Sequence, residues 1–160
     1  MTENVTNKKM VCGFLFTGKM VLLVKKTRQS WQAGLLNGVG GVIEDSETPI
    51  EAMVREFREE TGVLIPSIDW CHFATEQEPF GAWVYFFTAK LLNARSNFDW
   101  PETNDVGEQL QWGHVVDLFR TRNRMIGNLT YLIAMAMDPR GFKEPVLIRT
   151  AGDIRECASW

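Results

Sequence analysis

Glu56, Glu59 and Glu60 stand at i, i+3 and i+4 in the run Arg55-Glu56-Phe57-Arg58-Glu59-Glu60. On a helix, at ~100° per residue, this spacing lays three carboxylates in one band. Like charges so placed destabilise an isolated helix by roughly 0.2–0.5 kcal/mol per pair. Anions toward a helix C-terminus also oppose its macrodipole. Arg58 points to the other side, and Arg55 is adjacent to Glu59 only, so the band calls for a further positive partner. A hard divalent cation meets the need: Mg²⁺ takes oxygen ligands, keeps several waters and is commonly shared with substrate phosphates. The spacing alone equally suits an exposed glutamate-rich face, so the surroundings must decide.

The band needs a helix beneath it, and residues 48–61 carry the signals for one. Thr48 is the expected N-cap, Pro49 the first helical residue and Glu51 the partner in a capping box. Gly62 supplies the stop. Ile50, Met53, Val54, Phe57 and Thr61 make an apolar stripe that should face the core. Upstream, Gly38, Gly40 and Gly41 bracket Asn37 and Val39, and glycines so close together allow near approach of backbone to a ligand. Residues 10–16 and 20–24 read as a hairpin turning at Thr17-Gly18-Lys19. A basic loop, residues 25–33, follows with Lys25, Lys26, Arg28 and Trp31.

Downstream, residues 63–74 and 83–92 read as strands, the second so continuously apolar that both faces should be buried. Residues 93–107 are a polar loop, 109–112 a short strand and 115–119 a helical turn. Residues 128–137 read as a second long helix stopped by Pro139 and Gly141, and 146–148 as a last short strand. Strands and helices interleaved on one central sheet make an α/β sandwich.

Length and composition bound the rest. The chain has 160 residues, 45% hydrophobic and 23% charged, with a formal net charge of -3. One domain over residues 1–160 is expected. Mild acidity argues against non-specific binding to a nucleic-acid polymer or an anionic membrane. No segment has the apolar run of a signal peptide or a membrane span. Cys12, Cys71 and Cys157 form no C-x-x-C pair and suit a reducing cytoplasm, as small core residues or surface thiols. His72 and His114 are isolated and read as structural.

Gly41, Glu47, Arg55-Glu56, Glu59-Glu60 and Gly62, with apolar Phe57 and Val63, fall on every fixed position of the Nudix box. Only Phe57 is a less usual choice for its slot. The chain resembles a Nudix hydrolase, and the order of elements follows the Nudix fold, a mixed sheet between helices. Residues 143–160 match nothing assignable in it.

The resemblance implies that Glu56, Glu59 and Glu60 ligate Mg²⁺ (or Mn²⁺), with the Gly40 carbonyl as a further ligand. It makes Gly41, Glu47, Arg55 and Gly62 structural, Arg55 orienting a metal-binding glutamate and Glu47 tying loop to helix. Family members take the general base from the box or from a later loop; here Glu108 is the downstream candidate, with Asp105 and Glu102 as rivals. Leu36-Asn37-Gly38-Val39-Gly40-Gly41 is similar to MutT-type enzymes that sanitise oxidised purine nucleotides, in which an asparagine at the position of Asn37 bonds the base. An amide offers both donor and acceptor to a purine edge. Asn128 resembles in position a second base contact, although Asn128-Leu129-Thr130 stands where some relatives carry paired aspartates. Lys25, Lys26 and Arg28 are candidates for the phosphates, Trp31 and Phe80 for stacking on a base.

The implied activity is hydrolysis of a nucleoside triphosphate to the monophosphate and pyrophosphate. A hydrolase of nucleotide-sugar or ADP-ribose-type diphosphates and a non-catalytic nucleotide sensor are the alternatives. Monomer and homodimer both remain open.

Overall fold

A computed structural model describes residues 8–27, 31–78, 81–91, 100–104, 106–121 and 124–150. Arg28, Phe80, Asp105 and Cys157 lie outside them. Strand β1 (Lys9–Thr17) turns at Gly18, which takes φ 56°, into β2 (Met20–Lys25). β3 (Leu36–Asn37) precedes helix α1 (Pro49–Thr61). Then come β4 (Cys71–Gln77), β5 (Trp83–Lys90), β6 (Gln109–His114), α2 (Val115–Arg120), α3 (Leu129–Met137) and β7 (Val146–Arg149).

The sheet order is β3-β2-β1-β5-β4-β7, with β6 paired to β2. β1 runs parallel to β5, and β4 parallel to β7; the other pairs are antiparallel. The near-continuous apolar runs of β1, β2 and β5 have a simple cause. Side chains alternate between faces of a strand, and here both faces are covered. On one face Val11, Leu15, Leu22, Val24, Phe87 and Ala89 pack with Ala52, Met53 and Phe57 of α1. On the other, Phe14, Phe16, Val21, Leu23 and Phe86 pack with Leu118 of α2 and Leu129, Leu132, Ile133 and Ala136 of α3. This is the expected α/β sandwich with a mixed central sheet. Gly13 is the close point beneath α1: a Cβ there would meet the Met53 thioether at 2.7 Å.

Two expectations change. Residues 63–74 are not one strand: Pro66 has no N–H to give a ladder, Ser67–Asp69 forms a 3-10 turn, and pairing begins at Cys71. Of the unassigned residues 143–160, the described part also acquires a place, since the expected last strand forms as β7 and extends the sheet along β4, with Ala74 opposite Val146 and Gln77 opposite Arg149.

Candidate active site

Helix α1 begins as its sequence requires. Thr48 accepts from the Glu51 N–H, Glu51 Oε2 accepts from the Thr48 N–H at 2.8 Å, and Gly62 closes the helix at φ 71°. The cap fixes the rotation of the helix, so Met53 and Phe57 go inward and the glutamate band comes to the edge of the core. Arg55 is the hub of that edge. Its Nε and Nη2 donate to the two Glu47 oxygens at 2.8 Å each, and Nη2 also donates to the Val42 carbonyl at 3.0 Å. Its Nη1 donates to Glu56 at 2.9 Å and Glu59 at 3.2 Å. The sequence expectation of a contact with Glu59 only is thus too narrow. Neighbouring helix positions diverge, but a guanidinium is long and forked enough to reach Glu56 as well. It also holds Glu47 well below the usual carboxylate range.

Glu60 is the member of the band left without such a partner. Its Oε2 is buried and has no hydrogen-bond partner among the described residues. Burial first, then the Lys26, Glu56 and Glu108 charges and the Gly40 backbone, set its carboxyl, which is pushed up to about 7. The glycine loop runs directly beside the band. Val11 N–H donates to the Gly41 carbonyl at 2.9 Å, and Gly13 and Val39 exchange backbone bonds at 2.7 and 3.1 Å. A Cβ at Gly40 would strike the Val11 carbonyl, and one at Gly41 would stand 2.5 Å from the Glu56 carboxylate. Glycine is needed at both positions for that approach. As they stand, the three carboxylates do not close on one point: among the described residues no three His, Cys, Asp or Glu side chains form a metal-sized cluster.

A cavity of about 210 Å³ opens beside this loop. Asn37, Gly38, Gly40, Gly41, Lys26, Trp31, Glu76 and Asn128 are among its lining residues. Asn37 and Asn128, distant in sequence, are therefore brought together with the glycine loop. Trp31 is 72% exposed at its mouth. Lys25 is exposed and not part of this lining; Lys26 takes that place. Glu108 is 3% exposed and accepts from Lys26 Nζ at 3.2 Å, Asn104 Nδ2 at 3.3 Å and the Thr27 N–H at 3.4 Å. Burial pushes its carboxyl up, but Lys26 and these donors outweigh that, so it lies below its ordinary value and stays ionised. Glu102, its rival, is exposed.

A family model described as NUDIX domain matches residues 6–128. The chain belongs to the NUDIX domain family. It is a Nudix hydrolase, an enzyme of the pyrophosphohydrolase kind. The uncharacterized Nudix hydrolase YvcI of Bacillus subtilis (strain 168) is 26% identical over 152 residues, covering 81% of this chain and 93% of the relative. The MutT protein of Bacillus halodurans has a similar fold, with a TM-score of 0.66 at 15% identity over 91% of this chain and 92% of that one. The NUDIX domain of Shewanella oneidensis NrtR, solved with ADP ribose, gives 0.65 at 20% identity, covering 81% and 86%.

On this Nudix frame the remaining residues are ordinary. His72 Nε2 sits 2.9 Å from Thr75 Oγ1, and His114 caps α2 through Nδ1. Burial raises the Cys12 thiol to about 12, which leaves it unreactive. Among the described residues no helix is long and apolar enough to cross a membrane. Sequence reasoning missed Glu76. It lies next to the last residue of β4, where nothing in the run Ala74-Thr75-Glu76-Gln77 separates a cleft acid from a solvated one.

Proposed function

We propose that this Nudix hydrolase cleaves nucleoside triphosphates to the monophosphate and pyrophosphate, with purine (deoxy)nucleotides preferred. The observation that carries the reading is the sharing of one cleft by Asn37, Asn128 and the Gly40-Gly41 loop. The glycine loop that borders the glutamate band then lies in the same cleft as the base reader, while Glu59 and Glu60 line the neighbouring cavity on the other side of that edge.

Glu56, Glu59 and Glu60, with the Gly40 carbonyl, would hold Mg²⁺, with Mn²⁺ the alternative. Three features support the fit. All donors are oxygens, as a hard cation prefers. Glu60 Oε2 is buried and unpartnered, and such an atom is costly unless something pairs with it. The Glu56 carboxylate lies against Gly41 with no room for a side chain between them. A cation bound there neutralises diphosphate charge and lowers the pKa of water. Arg55 steadies Glu56 and Glu59 from the side, and Glu47 steadies Arg55. Lys26 exchanges Glu108 for a substrate phosphate. The exchange frees a lone pair on ionised Glu108 to accept the proton of the attacking water. The Gly62 cap ends α1 in register with these groups.

Gly41→Ala is expected to lower turnover by about 10–100-fold, because its Cβ displaces the Glu56 carboxylate. The fold should survive, since the far end of a flexible side chain can move. Steady-state kinetics beside a thermal melt checks both halves; full activity removes Glu56 from the site. The reading as a whole is tested on a panel of nucleoside triphosphates, deoxynucleotides, ADP-ribose and nucleotide sugars, with products identified. Release of pyrophosphate from a purine triphosphate is expected. Turnover of ADP-ribose alone would move the assignment to diphosphate-linked substrates, as would no turnover with retained binding to a sensor.

A further inference from the structure

Asn128 occupies the N-cap of α3 but does not cap it. An asparagine there ordinarily turns its Oδ1 onto the free N–H groups of the first turn, which stabilises the helix. Here the amide is turned elsewhere: Asn128 Nδ2 donates to Glu76 Oε2 at 2.8 Å. Its Oδ1 is left buried, with no partner among the described residues. Glu76 is itself buried, at 4% exposure, and its other oxygen accepts from Thr150 Oγ1 at 2.6 Å. Both Glu76 and Asn128 line the cleft. A buried acid and a forgone cap together cost stability, which marks a site held for something other than folding.

The second amide of the cleft is fixed in the opposite sense. Asn37 Oδ1 accepts from the Gly38 N–H at 2.8 Å and faces the Cys12 thiol at 3.8 Å. An N–H must meet the oxygen of an amide, so the Asn37 amino group is the end left for a ligand. A carboxylate has no hydrogen to give, so it must meet the amino end of Asn128 and leave the carbonyl end. The two partners thus set the two amides, whatever rotation either would choose alone.

We propose that Glu76 is a specificity-determining positioning residue, locking Asn128 as an acceptor opposite Asn37 as a donor, so that the cleft reads a purine by the order of its own donor and acceptor. The inference rests on the nucleotide reading above and deepens it. A 6-oxopurine carries an acceptor at position 6 and a donor at position 1; a 6-aminopurine carries them reversed. A fixed pair of amides satisfies one order in a given pose and leaves buried groups unpaired in the other, which weakens binding by about tenfold or more. Thr150 belongs to this device, because it holds the second oxygen of Glu76 from beyond the family-matched residues, and the Tyr131 hydroxyl bonds Glu76 as well.

The test is calorimetric binding of GMP and AMP to the full chain, which needs no turnover. Wild type should prefer one by about tenfold or more. Glu76→Gln offers Asn128 either a carbonyl or an amino group, so the amide is free to turn over. Binding should persist while the preference falls below about threefold. Asn128→Ala should lose the same preference, and Glu76→Gln added to it should change nothing more, because the carboxylate acts through the amide. A simple packing role predicts the reverse: weaker binding of both nucleotides, an unchanged ratio and additive losses. Retention of the wild-type ratio in Glu76→Gln overturns the role of Glu76 and leaves the nucleotide reading standing. Failure of wild type to bind either monophosphate overturns that reading and this inference with it.

Discussion

Glu60→Gln is expected to cut turnover by about 10³-fold while the unfolding midpoint stays level or rises slightly. The activity loss is about 4 kcal/mol of transition-state stabilisation, at 1.36 kcal/mol per tenfold. It follows from the proposed metal role, in which one ligand charge disappears with almost no change in volume. The stability expectation has the opposite sign for a physical reason. Glu60 is half-buried, with its Oε2 fully covered, and desolvation together with the Glu56 and Glu108 charges outweighs Lys26 in raising its carboxyl pKa. A neutral amide removes the cost of burying a charge among like charges. Most substitutions of a buried residue lose activity and stability together; this one should separate them. A parallel fall in both would mean that Glu60 belongs to the packing of α1 instead. Kinetics at saturating Mg²⁺ and a metal-free melt measure the two quantities independently.

Arg55→Lys is the second large effect, and it tests positioning at constant charge. Arg55 donates to Glu47 through two nitrogens and also to Val42, Glu56 and Glu59. An ammonium has three donors on one atom and cannot span that set. The Mg²⁺ concentration for half-maximal activity should rise about 10–100-fold, the usual consequence of losing a group that orients metal ligands. Stability should fall by about 2 kcal/mol, since bonds between charged groups in a half-buried site are lost. A change in the melt without a change in Mg²⁺ dependence would confine Arg55 to holding the loop.

The helix that carries the site was legible because its signals are local. Thr48, Pro49, Glu51 and Gly62 each act within a turn of their own position, and the cap forms as read. The sandwich was legible because alternation along β1, β2 and β5 serves two covered faces. What was not legible depends on pairs far apart in sequence. Glu108 reads as a candidate base from its place before the 109–112 strand, but its partner Lys26, 82 positions away, is not visible in the sequence. Lys25 and Lys26 are neighbours that alternate across the end of a strand, and only the fold says which one reaches the cleft. Glu76 meets Asn128 across 52 positions and Thr150 across 74, and no spacing rule connects them. The 63–74 stretch reads as one strand only if Pro66 is passed over; its missing N–H and the turn at Ser67–Asp69 delay pairing to Cys71. The reach of Arg55 to Glu56 was missed because helical geometry places side-chain stems, not the ends of long guanidinium groups.

In the proposed site Glu56, Glu59 and Glu60, with the Gly40 carbonyl, grip a divalent cation against a polyphosphate. A crystal grown with Mn²⁺ and a non-hydrolysable purine triphosphate analogue tests it most directly, because anomalous scattering locates the ion without reference to the protein. Mn²⁺ peaks are expected among those oxygens, with the triphosphate alongside and the base between Asn37 and Asn128. Ordered Mn²⁺ and phosphates elsewhere, with the Arg55 bonds to Glu56 and Glu59 undisturbed, would contradict it.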